Sequence, residues 1–193
     1  KDFDHNGSID PIFCYYIDGI SYPAVSRDDL MEQLPLLKKK YLKYSDYAKA
    51  TINDIYSIED LKDAILLKAE MLSTVYLENT GTNGFVVKPL PIEAQYSPVY
   101  AITTLDANGD GKKDLLLVGN NSWTRVRFGR FVSNHGMLFL GDGKGAFSYV
   151  PQFQSGLNVR GDVRSVQVVT NNGKNTIIFG VNDSSVKTYD LVK

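Results

Sequence analysis

Two nine-residue stretches of this chain alternate acidic or amide side chains with other residues, place a glycine sixth, and run straight into an apolar segment. The fuller one lies within Leu105 to Asn121, LDANGDGKKDLLLVGNN, where Asp106, Asn108 and Asp110 occupy every second position, Gly111 follows and Asp114 closes the group. A hard cation such as calcium takes six to eight oxygen ligands, and a tight loop supplies them from positions 1, 3 and 5, a main-chain carbonyl at 7 and a closing carboxylate. Lys112 holds the carbonyl position, and the glycine allows the sharp turn around an ion. A helical calcium hand closes with Glu at position 12, but here that position is Leu117 within the run Leu115 to Val118. The loop therefore leads into a strand, with the ninth-position Asp as its last ligand.

The chain opens on the same pattern. Asp2, Asp4 and Asn6 alternate, Gly7 follows, Ser8 takes the carbonyl position, Asp10 closes, and Ile12 to Ile17 is the strand-forming run, with Pro11 at its head. Asp, Asn and Gly also make ordinary turns. Three carboxylates in nine residues with no lysine or arginine among them nevertheless repel one another unless a counter-ion is present. Asn at Asn6 and Asn108, where Asp would add charge, lowers the ligand charge of each loop.

A second repeat is visible in the turns. Tyr76 to Phe85 and Leu138 to Phe147 share a strand, a Gly-rich hairpin and a closing Phe, and both Phe147 minus Phe85 and Gly143 minus Gly81 equal 62. The same shift carries Gly111 onto Gly173 and Leu115-Leu116-Leu117 onto Ile177-Ile178-Phe179, while Asp106, Asn108, Asp110 and Asp114 fall on Val168, Thr170, Asn172 and Thr176. That third copy keeps a turn and a strand without an ion. The two acidic loops are 104 apart, which leaves a surplus of 42 for an insertion, and residues 26 to 72 have a helical texture. Ser26 and Ser57 stand three residues before Asp29 and Asp60, as N-caps do, and Leu30, Leu34, Leu37 and Tyr41, then Leu61, Ile65 and Ala69, recur at helical spacing, with Pro35 breaking the first set.

A period of about 60 residues built from short strands and Gly-rich turns points to radial repetition of small antiparallel sheets. The expected fold is mainly β, with β-propeller-type antiparallel blades forming an incomplete ring and an inserted α-helical segment. The divisions are 1-25, a partial blade with the first loop; 26-72, the insertion; 73-155, a blade with the second loop; and 156-193, a shorter last blade without ligands.

These residues resemble the FG-GAP or VCBS repeat family of β-propeller blades, integrin α-subunit propellers included. The match rests on Asp106-Ala107-Asn108-Gly109-Asp110-Gly111-Lys112-Lys113-Asp114-Leu115, preceded by Val99-Tyr100-Ala101 and followed by the Leu140-Gly141-Asp142-Gly143 turn and Phe147. The wider layout is similar to the C-terminal part of long exported bacterial repeat proteins. The resemblance implies two structural calcium sites, Asp2, Asp4, Asn6, Ser8 and Asp10 in one, Asp106, Asn108, Asp110, Lys112 and Asp114 in the other. It also implies further blades upstream, and a role in adhesion or in binding a glycan or protein ligand. Extracellular calcium modules have dissociation constants of about 10⁻⁴ to 10⁻³ M, which favours a secreted or cell-surface location, periplasmic or outer-membrane-associated sites included.

Composition removes other classes. With 21 Lys+Arg against 22 Asp+Glu and a net charge of -1, overall charge gives no reason to expect nucleic acid or an anionic membrane as partner. No run approaches the roughly 18 to 20 apolar residues of a membrane span, and the single Cys14 excludes a disulfide framework. His5 and His135 lack partners at triad or zinc spacing, so the chain is read as no enzyme. The alternative is an accessory domain of a secreted hydrolase, for which Asp162 and Asp183 are the nearest unassigned carboxylates, or a purely architectural segment. Trp123, Arg125 and Arg127 alternate within Trp123 to Phe128, which predicts a strand with all three on one face, either a solvated face with the ring stacked on arginine or a surface that contacts a sugar or acidic ligand.

Overall fold

The computed structural model describes residues 1–191 and is mainly β, with eleven strands in four antiparallel sheets and five short α-helices among those residues. The last two residues of the 156-193 segment lie outside the described ones. The chain divides into two compact units, Lys1–Glu70 and Met71–Lys193.

In the first unit the acidic loop is followed by a hairpin of β1 (Cys14–Ile17) and β2 (Ile20–Pro23), turned by Asp18 and Gly19 at φ 48° and 78°. Positive φ at both central residues is the tight turn that matches strand twist. Four helical pieces follow: α1 (Arg27–Gln33), α2 (Tyr44–Tyr47), α3 (Ile52–Ile55) and α4 (Ile58–Leu61), with a 3₁₀ turn over Pro35–Lys39. Ser26 caps α1 by accepting the Asp29 amide, and Pro35 starts the 3₁₀ turn after α1 has ended. Ser57 and Asp60 form a reciprocal capping box on α4, and Thr51 with Asp54 forms another on α3.

The helix expected through Leu61, Ile65 and Ala69 ends instead at Leu61. Asp63 turns left-handed at φ 62°, and Ile65, Leu66 and Leu67 stand exposed, so the four-residue spacing there has no core to face. Leu30, Met31, Leu34, Tyr41, Tyr47, Ala50, Ile55 and Tyr56 form the buried cluster of this unit, and Phe3 and Ile12 pack against it. One residue of the acidic loop and one just beyond it therefore share a core with the helices that follow.

In the second unit, β3 (Val75–Asn79) pairs with β4 (Phe85–Pro89); β5 (Val99–Leu105), β6 (Asp114–Gly119), β7 (Met137–Gly141) and β8 (Phe147–Val150) make a four-stranded meander; and β9 (Val163–Asn171), β10 (Lys174–Val181) and β11 (Lys187–Asp190) make a three-stranded one. The 62-residue shift lays Val75–Asn79 on Met137–Gly141, residue for residue, and carries the β5–β6 hairpin onto β9–β10. At the third copy the nine-residue loop has shortened to a two-residue turn, Asn172 and Gly173 at φ 49° and 76°.

Side-chain parity on β6 explains how these sheets stack. Leu116 and Val118 enter a core with Leu105, Leu157, Val159, Val163, Ile177, Phe179 and Val181, while Leu117 joins Leu90, Ala94, Met137 and Phe139 on the opposite side. Both faces of the middle sheet are thus buried, one against β9–β10 and the other against residues around β3–β4, and its inner strand reads as an unbroken apolar run. Phe139 and Phe179 are fully buried, one in each core, and truncating either to Ala costs roughly 3–5 kcal/mol.

Candidate functional site

The two acidic loops share four side-chain hydrogen bonds, and they differ in one, Asn6 N–H donating to Asp2 Oδ1 in the first and Gly109 N–H to Asp106 Oδ1 in the second. Phe3 N–H donates to Asp10 Oδ2 at 2.9 Å as Ala107 N–H donates to Asp114 Oδ2 at 2.8 Å, which closes each ring on its ninth-position carboxylate. Asn6 N–H donates to Asp4 Oδ1 at 3.1 Å as Asp110 N–H does to Asn108 Oδ1 at 3.1 Å. Gly7 N–H donates to Asp2 Oδ2 at 2.9 Å as Gly111 N–H does to Asp106 Oδ2 at 3.1 Å. Ser8 N–H donates to Asn6 Oδ1 at 2.8 Å as Lys112 N–H does to Asp110 Oδ1 at 2.9 Å. Every pair is related by the 104-residue shift. The backbone agrees, since it turns left-handed at the fourth and sixth positions of both loops: His5 and Gly7 at φ 59° and 90°, Gly109 and Gly111 both at 79°. Short Asx turns of this kind curl the chain so that alternate side-chain oxygens face one centre.

The loops differ in how their charge is balanced. Asp2, Asp4 and Asp10 each bring a carboxylate oxygen within 4.8 Å of the others, and among the described residues this is the acidic group that converges so closely. Asp10 is buried and anchored twice, by Phe3 N–H and by Gln33 Nε2 at 3.2 Å. The Gly7 amide, with those of Asn6 and His5, holds the Asp2 carboxyl below its ordinary range against the opposing pull of desolvation. In the second loop Lys112 Nζ pairs with Asp110 Oδ2 at 3.3 Å, so this loop carries a cation of its own. Asp114 is fully buried, with Oδ2 on the Ala107 amide and Oδ1 on the Gly141 amide at 2.9 Å.

Both donor sets fit a hard divalent cation, since they are all oxygen and include several carboxylates. The first matches it more closely because its three carboxylates already converge. A cleft of about 220 Å³ adjoins the first loop, lined by Asp2, Phe3, Asp4, His5 and Tyr56 among others. Phe3 stacks on Tyr56 at 4.1 Å, and the Tyr56 hydroxyl is buried without a hydrogen-bond partner. Burial, then the nearby Asp10, Asp60 and Asp4 charges, push that hydroxyl well above the ordinary tyrosine range.

Trp123, Arg125 and Arg127 lie on no strand: residues 122 to 130 form an excursion closed by paired backbone bonds between Asn121 and Phe131, with a 3₁₀ turn over Val126–Phe128 at its tip. Alternation over six residues has no neighbouring strand there to make it count. Asp162 is buried and accepts from the Ser122 amide and hydroxyl, with Arg164 at 3.4 Å, whereas Asp183 sits exposed at φ 51° in a turn. Burial works to raise the Asp162 carboxyl, but the Ser122 hydrogen bonds and the Arg164 and Arg130 charges outweigh it and hold the group below the usual carboxylate range. His5 is an exposed loop residue, and the His135 carbonyl accepts the Val159 amide.

The residue that sequence reasoning passed over is Asn120, which follows β6. It is buried at φ 87°, its Nδ2 donates to the Asn134 and Gly161 carbonyls at 2.7 and 3.0 Å, and its Oδ1 accepts from Ser97 Oγ and the Asn134 amide at 2.8 and 2.9 Å. Arg164 reaches the Asn120 carbonyl at 2.9 Å while its guanidinium lies 3.9 Å from the Tyr100 ring centre. The signal was an Asn at the end of an apolar strand, matched by Asn182 at the 62-residue shift.

No family model, curated protein or solved structure matches the chain.

Proposed function

We propose that this chain is a calcium-binding β-repeat segment of the FG-GAP or VCBS blade type, belonging to an exported protein that is secreted or held at the cell surface. Its role is adhesion, or the binding of a glycan or protein ligand, with calcium acting structurally and without catalysis by the chain itself. The observation that carries this reading is that the two loops repeat four side-chain bonds and two left-handed positions at a constant 104-residue shift, which turns formed for unrelated reasons have no cause to share.

The ion's ligands are Asp2, Asp4, Asn6, the Ser8 carbonyl and Asp10 in one loop, and Asp106, Asn108, Asp110, the Lys112 carbonyl and Asp114 in the other. Bound calcium offsets the repulsion among the carboxylates and stabilises the loops by mass action wherever free calcium exceeds the dissociation constant. The blade reading draws support from the β5–β8 meander with apolar cores on both faces, the layout that neighbouring blades impose on one another.

Calorimetric titration of chelated protein tests the proposal. Two classes of site and a higher melting temperature with calcium are expected; melting that is unchanged by excess chelator sinks the structural role.

A further inference from the structure

We propose that the bridged loop 122 to 130 is an interfacial anchor that docks on an anionic lipid surface. The loop is built to protrude. Two backbone hydrogen bonds between Asn121 and Phe131 clamp its base, Asn121 Oδ1 accepts the Trp123 amide, Thr124 Oγ1 donates to the Gly129 carbonyl across it, and a 3₁₀ turn over Val126–Phe128 forms the tip.

What it presents is apolar: Trp123 is 81% exposed, Val126 99% and Phe128 55%, with Phe131 and Val132 exposed at the base. Side chains of this size on a clamped tip form a convex projection, which fits neither the flat stacking platform that a sugar needs nor the groove of a peptide site. A convex apolar tip suits a deformable apolar medium, and Trp and Phe are side chains that settle at the boundary of a bilayer.

Charge fixes the kind of surface. From Leu115 to Gly141 no Asp or Glu occurs, while Arg125, Arg127 and Arg130 fall within the loop. Arg127 lies over the Phe128 ring at 4.8 Å, which keeps its guanidinium beside an apolar side chain, and Arg130 contributes to the field at Asp162. The near-neutral total of -1 hides this local excess. Guanidinium groups beside interfacial aromatics match anionic headgroups, each adding attraction that decays within a Debye length. The loop lies on the interface and does not span it; no described helix is long and apolar enough to cross a membrane.

Trp123 is the single tryptophan, so its emission reports on the loop directly. Vesicles of phosphatidylcholine with roughly one third phosphatidylglycerol are expected to shift the emission to the blue and to co-sediment the protein, whereas phosphatidylcholine alone does neither, and about 0.5 M salt reverses the effect. Val126→Asp, at a site exposed enough not to disturb folding, abolishes the shift, and Arg125→Ala weakens partitioning roughly fivefold, each variant being checked by circular dichroism for an unchanged fold. Emission unaffected by anionic vesicles, wild-type binding by Val126→Asp, or a shift produced by heparin and not by vesicles overturns the proposal.

Discussion

Asp114 Oδ1 accepts the amide of Gly141 at 2.9 Å, so the last residue of the second acidic loop is hydrogen-bonded to the end of the hairpin strand that follows. The approach is close enough that a Cβ on Gly141 would lie 2.2 Å from the Lys113 carbonyl oxygen. Asp114→Ala leaves the Ala107 and Gly141 amides without their acceptor inside the protein and is expected to cost about 2–4 kcal/mol of stability. Gly141→Ala costs roughly 1–3 kcal/mol by forcing backbone apart. Urea unfolding in chelator checks both, because losses that persist without calcium belong to the hydrogen bonds and not to the ion.

Asn120→Ala removes four hydrogen bonds, three of them fully buried, and keeps a Cβ at φ 87°, so a loss of about 3 kcal/mol or more is expected. Asn120→Gly loses the same bonds but relieves the left-handed backbone, and recovers about 1 kcal/mol relative to the alanine variant. Equal stabilities of the two, measured by thermal melting, contradict the strained conformation.

Calcium titrations of single-loop variants separate the proposed sites. Asp4→Ala abolishes the first site and leaves the second, and Asp110→Ala does the reverse; survival of both sites in either variant shows the ligand assignment to be wrong. Lys112→Gln removes the loop's own cation and raises the affinity of the second site roughly two- to fivefold, a small effect because the Lys112–Asp110 pair is partly exposed and screened.

Acid sensitivity follows from the depressed carboxyls. Asp2, Asp110 and Asp162 have folded pKa values below the ordinary 3.8, so the unfolded chain takes up protons first as the pH falls. Their contribution is fully present above about pH 4 and is lost progressively as the pH drops through their lower folded values. Melting temperatures at pH 7 and 5 should therefore differ little on account of these groups, with the loss setting in as the pH drops below about 4. Ser122→Ala, which removes one donor to Asp162, reduces the Asp162 part of that fall.

The parts of this structure written in local chemistry were legible. Position-by-position spacing within nine residues gave both acidic loops, the hairpin glycines gave the 62-residue period that relates β3 to β7, and Ser57 with Asp60 gave a helix cap. Thr51 with Asp54 carries the same signature as that cap and was equally readable. What was not legible depends on distant partners. The strand expected at Trp123 gave way to a bridged loop because its form is set by Asn121 pairing with Phe131, and Ile65 and Ala69 had helical spacing but no surface to bury against. Asn120 finds its side-chain partners 14, 23 and 41 residues away, beyond the reach of any local pattern.

The apolar run of β6 has a further consequence. Leu115 to Val118 fills one core with even-numbered side chains and the other with odd-numbered ones, so sliding the strand by one residue would exchange leucine for leucine and lose little hydrophobic energy. Apolar patterning alone leaves the pairing register of such a strand poorly specified. It is set at the two ends, where fully buried Asp114 meets the Ala107 and Gly141 amides and buried Asn120 meets Ser97, Asn134 and Gly161. A slip of one position would break both polar anchors at once, which makes these two side chains the indexing pins of the central strand.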